Sequence, residues 1–211
     1  MKYPKYTDYE KMYKRYFDKG VNYLIEKANL EKEDKDLDIC GGNGRLTKEL
    51  IKRCDNVSYL DQEPDMTPDD LQALGIKVYN EDIENFVNHS AEKYNKVFCE
   101  QAINYWLLNI DIERFSSIFE ANGLFIFNTF SNKPTSEPMI KQYEIDGIHY
   151  LEISYLVNNK VEHIQIREGY APHFTEFDWI SKEQYEELLS PYFDLELTDN
   201  GKSALYLCKR R

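Results

Sequence analysis

The chain has 211 residues, of which 42% are hydrophobic, and it carries four cysteines and a net charge of −12 at pH 7. This length and composition predict one domain with a substantial core and an added element, and the negative charge disfavours nucleic acid as a partner. No run reaches the roughly 18 apolar residues of a membrane span, the first residues are polar, and no C-x-x-C pair occurs, so we expect a cytoplasmic protein without membrane contact, disulfides or a metal site.

The first 30 residues contain a series of tyrosines. Tyr9, Tyr13 and Tyr16 recur with Phe17 at helical spacing, and such an aromatic stripe usually marks a helix that packs on a core. The charged segment 31–36 follows, and its composition predicts a solvated connector before the first strand.

The next stretch combines a glycine-rich turn with an acid at a fixed distance. A short apolar run, 37–39, leads into Cys-Gly-Gly-Asn-Gly at 40–44, then a helical stretch and a second apolar run that ends at Asp61. Gly42 and Gly44 allow a sharp turn and a close approach of the backbone to a ligand. Asp61 follows at close to the roughly 20-residue offset of nucleoside-binding βαβ units, where an acid accepts ribose hydroxyls. A P-loop is disfavoured because no G-x-x-x-x-G-K-[ST] occurs, and a nicotinamide dinucleotide site would prefer glycines that seat a pyrophosphate.

These residues resemble motif I and the following acidic strand end of class I S-adenosylmethionine-dependent methyltransferases of the small-molecule type. The family pattern is a hydrophobic strand with an acid, followed by G-x-G-x-G. Asp38 matches the acid, Gly42 and Gly44 match the second and third glycines, and Cys40 stands in place of the first. Within that family, the chain resembles amino-sugar and glycine-type N-methyltransferases.

The resemblance implies the cofactor S-adenosyl-L-methionine, the product S-adenosyl-L-homocysteine and no metal. It also implies that an N-terminal helical segment closes over the cofactor as a lid, which is the alternative to plain core packing. Met66 would lie on the adenine, and Asp82 would accept the adenine amino group, although an acid there is also an ordinary turn residue. The cofactor-binding residues that it implies are Tyr13, Asp38, Cys40, Gly41, Gly42, Gly44, Asp61, Gln62, Met66, Asp82, Ile83 and Glu100.

Further elements follow in chain order. A helix is predicted to begin at Thr67 as N-cap, with Pro68 at its first position, and to end at Gly75. Strands are predicted at 76–79 and 94–100, then a helix from Asp111 to Asn122-Gly123 and a central strand at 124–130. The loop at 101–106 leaves the fourth strand, so its residues face the methyl group or serve only as packing and turn residues.

The chain changes character after residue 130. Segment 131–137 contains Pro and Ser, and alternating runs at 149–155 and 161–166 flank a turn at Asn158-Asn159, which predicts a hairpin that continues into 175–180. In related enzymes an insert here shapes the acceptor pocket or a subunit contact, so a homodimer through it is possible. Ser181 to Gln184 has the capping-box form of a last helix through Leu189. Two closing antiparallel strands are predicted at 193–197 and 204–208.

The predicted fold is α/β, with a Rossmann-like, seven-stranded, mostly parallel sheet, an antiparallel C-terminal strand, an N-terminal helical lid and an antiparallel β insert. One methyltransferase domain is expected over 1–211. It would contain the lid (1–30), the Rossmann-like core (31–132 and 181–211) and the β insert (133–180).

The sequence therefore predicts methyl transfer to a small molecule, with an amine acceptor favoured by the acidic balance and by the resemblance. Acidity is also explained by solubility alone. The alternatives are O-methylation of a sugar or other metabolite, and a non-catalytic S-adenosylmethionine-binding module. Tyr105 and His173 are the candidate catalytic residues, because the 101–106 loop and the returning insert should close the space beyond the methyl group; a structural hydrogen bond is the alternative for His173.

Overall fold

The computed structural model describes residues 18–145, 147–201 and 203–211. Within these ranges the chain forms a seven-stranded and a four-stranded sheet with helices around the larger one. The main unit contains α1 Asp18–Ala28, β1 Lys35–Ile39, α2 Arg45–Leu50, β2 Asn56–Leu60, α3 Asp70–Ala73, β3 Lys77–Tyr79, α4 Ile83–His89, β4 Tyr94–Glu100, α5 Ile112–Ser117, β5 Phe119–Phe130, α6 Lys182–Leu189, β10 Phe193–Asp199 and β11 Ser203–Arg210. The insert between β5 and α6 contains β6 Met139–Ile145, β7 Ile148–Val157, β8 Lys160–Arg167 and β9 His173–Asp178. Every described helix is too short or too polar to cross a membrane.

The strand order of the larger sheet creates a crevice in its middle. The order is β10-β11-β5-β4-β1-β2-β3. Strands β1 to β5 pair in parallel, β11 is antiparallel to β5, and β10 is antiparallel to β11. The chain reverses its direction of winding between β1 and β4, and ligands of such sheets bind outside the carboxyl ends of the strands at that point. The predicted fold class is confirmed.

Apolar side chains cover both faces of this sheet. On one face, α1 and α2 pack on β4, β5 and β11 through a cluster that includes Leu24, Leu50, Phe98, Ile126 and Leu205. The larger cluster on the other face joins α4, α5 and α6 to the strands and contains most of the buried aromatic rings. Two covered faces explain why most residues of β1, β2 and β4 are buried.

The described part of the N-terminal segment packs on the core. Val21, Leu24, Ile25 and Ala28 of α1 are buried at helical spacing. Residues 1–17 lie outside the described residues, and Tyr13 and most of the predicted lid fall there. The lid therefore stays a prediction.

The expectation of a solvated connector at 31–36 is confirmed for the exposed residues 31–33 and is wrong for 34–36. Strand β1 already begins at Lys35, and the side chains of Asp34 and Asp36 are buried. Lys96 of β4 forms an ion pair with Asp34. Charge density along the sequence could not reveal this partner, which comes from a neighbouring strand.

Two helix boundaries also differ from prediction. Helix α5 ends at Ser117, and Asn122 and Gly123 lie inside β5, where the pairing with β4 shifts register after Tyr94. Asn122 has a φ of 62°, which fits a bulge as well as a helix end. Thr67 is not the predicted N-cap, since α3 begins at Asp70 and the Thr67 hydroxyl donates instead to Asn80 Oδ1 at 2.8 Å.

The insert forms a meander in the order β6-β7-β8-β9. Asn158 and Asn159, with φ angles of 49° and 66°, join β7 to β8, which confirms the predicted hairpin. Strand β6 was not predicted. The capping box of Ser181 and Gln184 and the two closing strands are confirmed.

Candidate active site

A tight turn connects β1 to α2 at the crevice. Cys40, Gly42 and Gly44 adopt φ angles of 53°, 51° and 68°. Glycine takes such angles freely, whereas Cys40 holds a conformation that costs a side-chain-bearing residue about 1 to 3 kcal/mol. Gly41 is required for space, because a Cβ there would lie 2.4 Å from Tyr59 Cε2. Because the turn contains three glycines, a ligand in the crevice can approach its backbone closely.

Asp61 at the end of β2 fastens this turn. Its Oδ2 accepts the backbone N–H of Gly42 at 2.8 Å, and its Oδ1 accepts that of Glu63 at 2.8 Å. The Tyr59 hydroxyl donates to the Gly42 carbonyl at 2.6 Å. Burial raises the pKa of Asp61, and the two backbone donors oppose that rise. Each carboxylate oxygen keeps a second lone pair, so Asp61 can still receive two hydroxyls of a ribose.

Asp38 supports the turn from inside the sheet. It is 1% exposed, and its Oδ2 accepts the Thr47 hydroxyl of α2 at 2.6 Å. Burial raises its pKa to about 7, with a further contribution from the charge of Glu100. The motif acid thus joins β1 to α2.

Glu100 ends β4 on the other side of the crevice. Its Oε2 lies 2.6 Å from a guanidinium nitrogen of Arg45. The chain leaves β4 through Gln101, whose φ is 55° and whose N–H donates to Asn128 Oδ1 at 2.7 Å. Gly20 of α1 lies close to Glu100, since a Cβ at residue 20 would be 3.2 Å from Glu100 Oε1. Arg45 was not among the predicted site residues.

Three predicted cofactor-binding residues line the cavity beyond β2 and β3. Met66 is 5% exposed, and it lines the cavity with Asp82 and Ile83. Asp82 is the N-cap of α4, where its Oδ1 accepts the N–H of Asn85 at 2.8 Å and its Oδ2 accepts the Asn85 side-chain amide at 2.6 Å. Its bond to an adenine amino group stays a prediction.

One cavity of about 960 Å³ extends from these strand ends to the insert. It is lined by the predicted residues Asp38, Cys40, Gly41, Gly42, Asp61, Gln62, Met66, Asp82, Ile83, Glu100, Tyr105 and His173. Gly44 does not line it and instead is the N-cap residue of α2. Sequence reasoning missed the lining residues Asn43, Arg45, Glu63, Glu81, Lys141, Glu152, Ser154, His163 and Gln165. Strict alternation along β7 and β8 would have indicated the last four.

Residues of the loop after β4 differ in whether they pack in the core or line the cavity. Asn104 is buried, donates to the Asp178 carbonyl at 2.9 Å and accepts the Thr129 hydroxyl at 2.7 Å. Trp106 is buried against Phe115 and also lines the cavity. Tyr105 is 39% exposed, contacts the Phe177 ring edge-on at 5.4 Å and lines the cavity. Of these three loop residues, Tyr105 remains the candidate for acceptor contact.

Two histidines of the insert line the cavity. His173 on β9 is buried, with Nδ1 3.4 Å from Gln165 Oε1, and burial lowers its pKa. His163 on β8 lies with Nδ1 2.6 Å from Ser154 Oγ, and burial lowers its pKa as well. Both rings are therefore neutral near pH 7. Among the described residues, no group of three or more His, Cys, Asp or Glu side chains could hold a metal ion.

Comparisons with known proteins bear on this site. Residues 16–121 match the family model described as ribosomal RNA adenine dimethylase. A methyltransferase of Schizosaccharomyces pombe, C70.08c, is 28% identical over 112 residues. That match covers 49% of this chain and 42% of the yeast protein, so this chain spans less than half of its curated relative.

Solved structures share the fold over nearly the whole chain. An S-adenosylmethionine-dependent methyltransferase from Clostridium acetobutylicum has a TM-score of 0.74 at 18% identity, covering 97% of this chain and 98% of that one. CalS10, an amino pentose methyltransferase from Micromonospora echinaspora, has a TM-score of 0.74 at 13% identity and covers 100% of both chains. DesVI of Streptomyces venezuelae has a TM-score of 0.70 at 14% identity, covering 99% of this chain and all of that one. At these identities the likeness shows the fold.

Proposed function

Because the chain belongs to the ribosomal RNA adenine dimethylase family and is a class I S-adenosylmethionine-dependent methyltransferase, we propose that it methylates an amine of a small polar molecule. The observation that carries this proposal is the single cavity that joins the motif I turn to the insert sheet. Its volume suits a nucleoside cofactor together with a small acceptor. Membership of this family supports an enzyme, so we do not pursue the alternative of a non-catalytic S-adenosylmethionine-binding module.

The negative charge of the cavity lining supports an amine as the methyl acceptor. Eight Asp and Glu residues line it, against one Lys and one Arg. Carboxylates attract both a sulfonium cofactor and an ammonium group. The amino pentose acceptor named for CalS10, which has the same fold, agrees with this choice.

The reaction places modest demands on the protein. S-adenosylmethionine supplies an activated methyl group with a good leaving group, so the chain mainly holds the two molecules in line. Asp61, the 40–44 turn and Met66 would hold the nucleoside. Tyr105, Phe177 and the insert would orient the acceptor.

The experiment uses S-adenosylmethionine with a deuterated methyl group and an untargeted metabolite extract. We expect mass spectrometry to find the label on the nitrogen of a small amine with the wild-type protein and not with Asp61→Ala. Label on oxygen would replace the proposal by O-methylation. A protein that binds S-adenosylmethionine but labels nothing small would contradict it.

The second candidate function is methylation of adenine in RNA, which the family model favours. The net charge of −12 opposes it, because proteins bind RNA phosphates through lysine and arginine. We therefore place it second.

A further inference from the structure

The inner face of the insert sheet, defined as the side that lines the cavity, carries a patch of polar side chains. Ser154 lies opposite Met139 and His163, and Glu152 lies opposite Lys141 and Gln165. All six line the cavity, followed on β9 by Thr175 and His173. The opposite side of the same strands carries Ile140, Ile153, Ile164 and Phe174 at neighbouring register positions. At these register positions the polar side chains face the cavity, whereas the isoleucines and Phe174 face away from it, which favours a polar ligand in the cavity.

Glu152 presents a carboxylate to this cavity. Its Oε1 accepts the Tyr143 hydroxyl at 2.7 Å, which orients the group. Among the described residues, its Oε2 has no hydrogen-bond partner, and no ion pair joins Glu152 to Lys141 on the next strand. Glu152 therefore keeps an oxygen for a cation in the cavity.

His163 lies on the adjacent strand, within reach of the charge of Glu152. Its Nδ1 is engaged by Ser154 Oγ at 2.6 Å, so Nε2 is the nitrogen that can face a ligand. Burial is the main cause of its lowered pKa; the Glu152 carboxylate opposes that shift and the Lys141 ammonium adds to it. The ring is thus a neutral base near pH 7.

We propose that Glu152 binds the ammonium form of the acceptor amine and that His163, oriented by Ser154, takes up its proton. The N–H bond breaks, its electron pair stays on nitrogen, and the proton goes to His163 Nε2. The amine then attacks the methyl carbon while the carbon–sulfur electron pair leaves with sulfur. The imidazolium returns its proton to water. This inference rests on the proposed function, an amine acceptor.

The test uses matched probes on protein saturated with S-adenosylhomocysteine: glucosamine, and glucose as its counterpart without the amine. We expect calorimetry to detect millimolar binding of glucosamine and binding of glucose at least about tenfold weaker. Glu152→Gln should weaken the binding of glucosamine about tenfold or more, as expected for loss of a charge-assisted hydrogen bond. Glu162→Gln is the control, because Glu162 also accepts a tyrosine hydroxyl, from Tyr155, but on the other side of the sheet.

Nuclear magnetic resonance tests His163 in the same complexes. Bound glucosamine should lower the titration midpoint of His163 by about half a pH unit or more in the wild-type and Glu162→Gln proteins, and not in Glu152→Gln, because a nearby cation disfavours imidazolium. An unmoved His163, equal binding of both sugars, or no binding of glucosamine overturns the inference. Since every sample already contains S-adenosylhomocysteine, its failure to bind would instead contradict the proposed function.

Discussion

Asp61 has two roles, since it holds the motif I turn by a hydrogen bond and lines the cavity. Removing it leaves the Gly42 and Glu63 N–H groups and the ribose hydroxyls without an acceptor. We expect Asp61→Ala to weaken the binding of S-adenosylhomocysteine by about 1 to 3 kcal/mol, as measured by calorimetry. Asp65→Ala is the control, because that exposed side chain lies four residues on and outside the cavity. Unchanged affinity in Asp61→Ala would place the ribose elsewhere.

Tyr105 and His173 face the part of the cavity beyond the cofactor residues. Groups that contact only the acceptor and the transition state affect rate without affecting cofactor affinity. Tyr105→Phe and His173→Ala should therefore slow methylation of the acceptor found by isotope labelling, with S-adenosylhomocysteine affinity within about 0.5 kcal/mol of wild type. Full turnover in both variants, or loss of cofactor binding, would show that the acceptor lies elsewhere.

At the scale of single elements, β1 contains a buried acid that the proposed chemistry does not use. Asp36 is 0% exposed, and burial raises its pKa to about 7. The Cys54 thiol and the charge of Lys96 oppose that rise, and the charge of Asp34 adds to it. The folded protein therefore binds this proton more tightly than the unfolded chain does.

This acid predicts a pH dependence of stability. The contribution of Asp36 is complete below the unfolded pKa of about 4 and is lost as the pH rises through about 7. Urea unfolding between pH 5 and pH 8 should show a decrease in the free energy of unfolding that is smaller in Asp36→Asn by about 2 to 3 kcal/mol, because about two pH units of the shift fall in this window at about 1.4 kcal/mol per unit. An identical decrease in both proteins would mean that Asp36 is ionised in the fold at little cost.

The elements differ in how well the sequence predicts them, and the difference has a physical cause. The Ser181 capping box, the Asn158-Asn159 turn and the turn at 40–44 depend on residues close together in the chain, so their pattern is local. The start of β5 and the burial of Asp34 depend on strand β4, which supplies a register shift and Lys96. The surroundings of His163 and His173 also depend on strand pairing, because the register of β7, β8 and β9 places His163 opposite Ser154 and His173 opposite Gln165.

At the scale of the whole molecule, net charge distinguishes the two candidate functions. A chain with a charge of −12 should bind an unmodified ribosomal RNA fragment weakly, even at low salt. Filter binding at low and moderate salt measures this directly. Tight binding that falls steeply with added salt would reveal a basic surface and move RNA methylation to first place.

The central claim is that the crevice between β1 and β4 is an S-adenosylmethionine site. Titration calorimetry with S-adenosylhomocysteine and the wild-type protein tests it most directly. We expect one site per chain with a micromolar dissociation constant, about −8 kcal/mol, because Asp61, residues 40–43 of the turn and Met66 line the cavity where the nucleoside would bind. The absence of binding heat, together with an unchanged melting temperature at saturating ligand, would contradict the account.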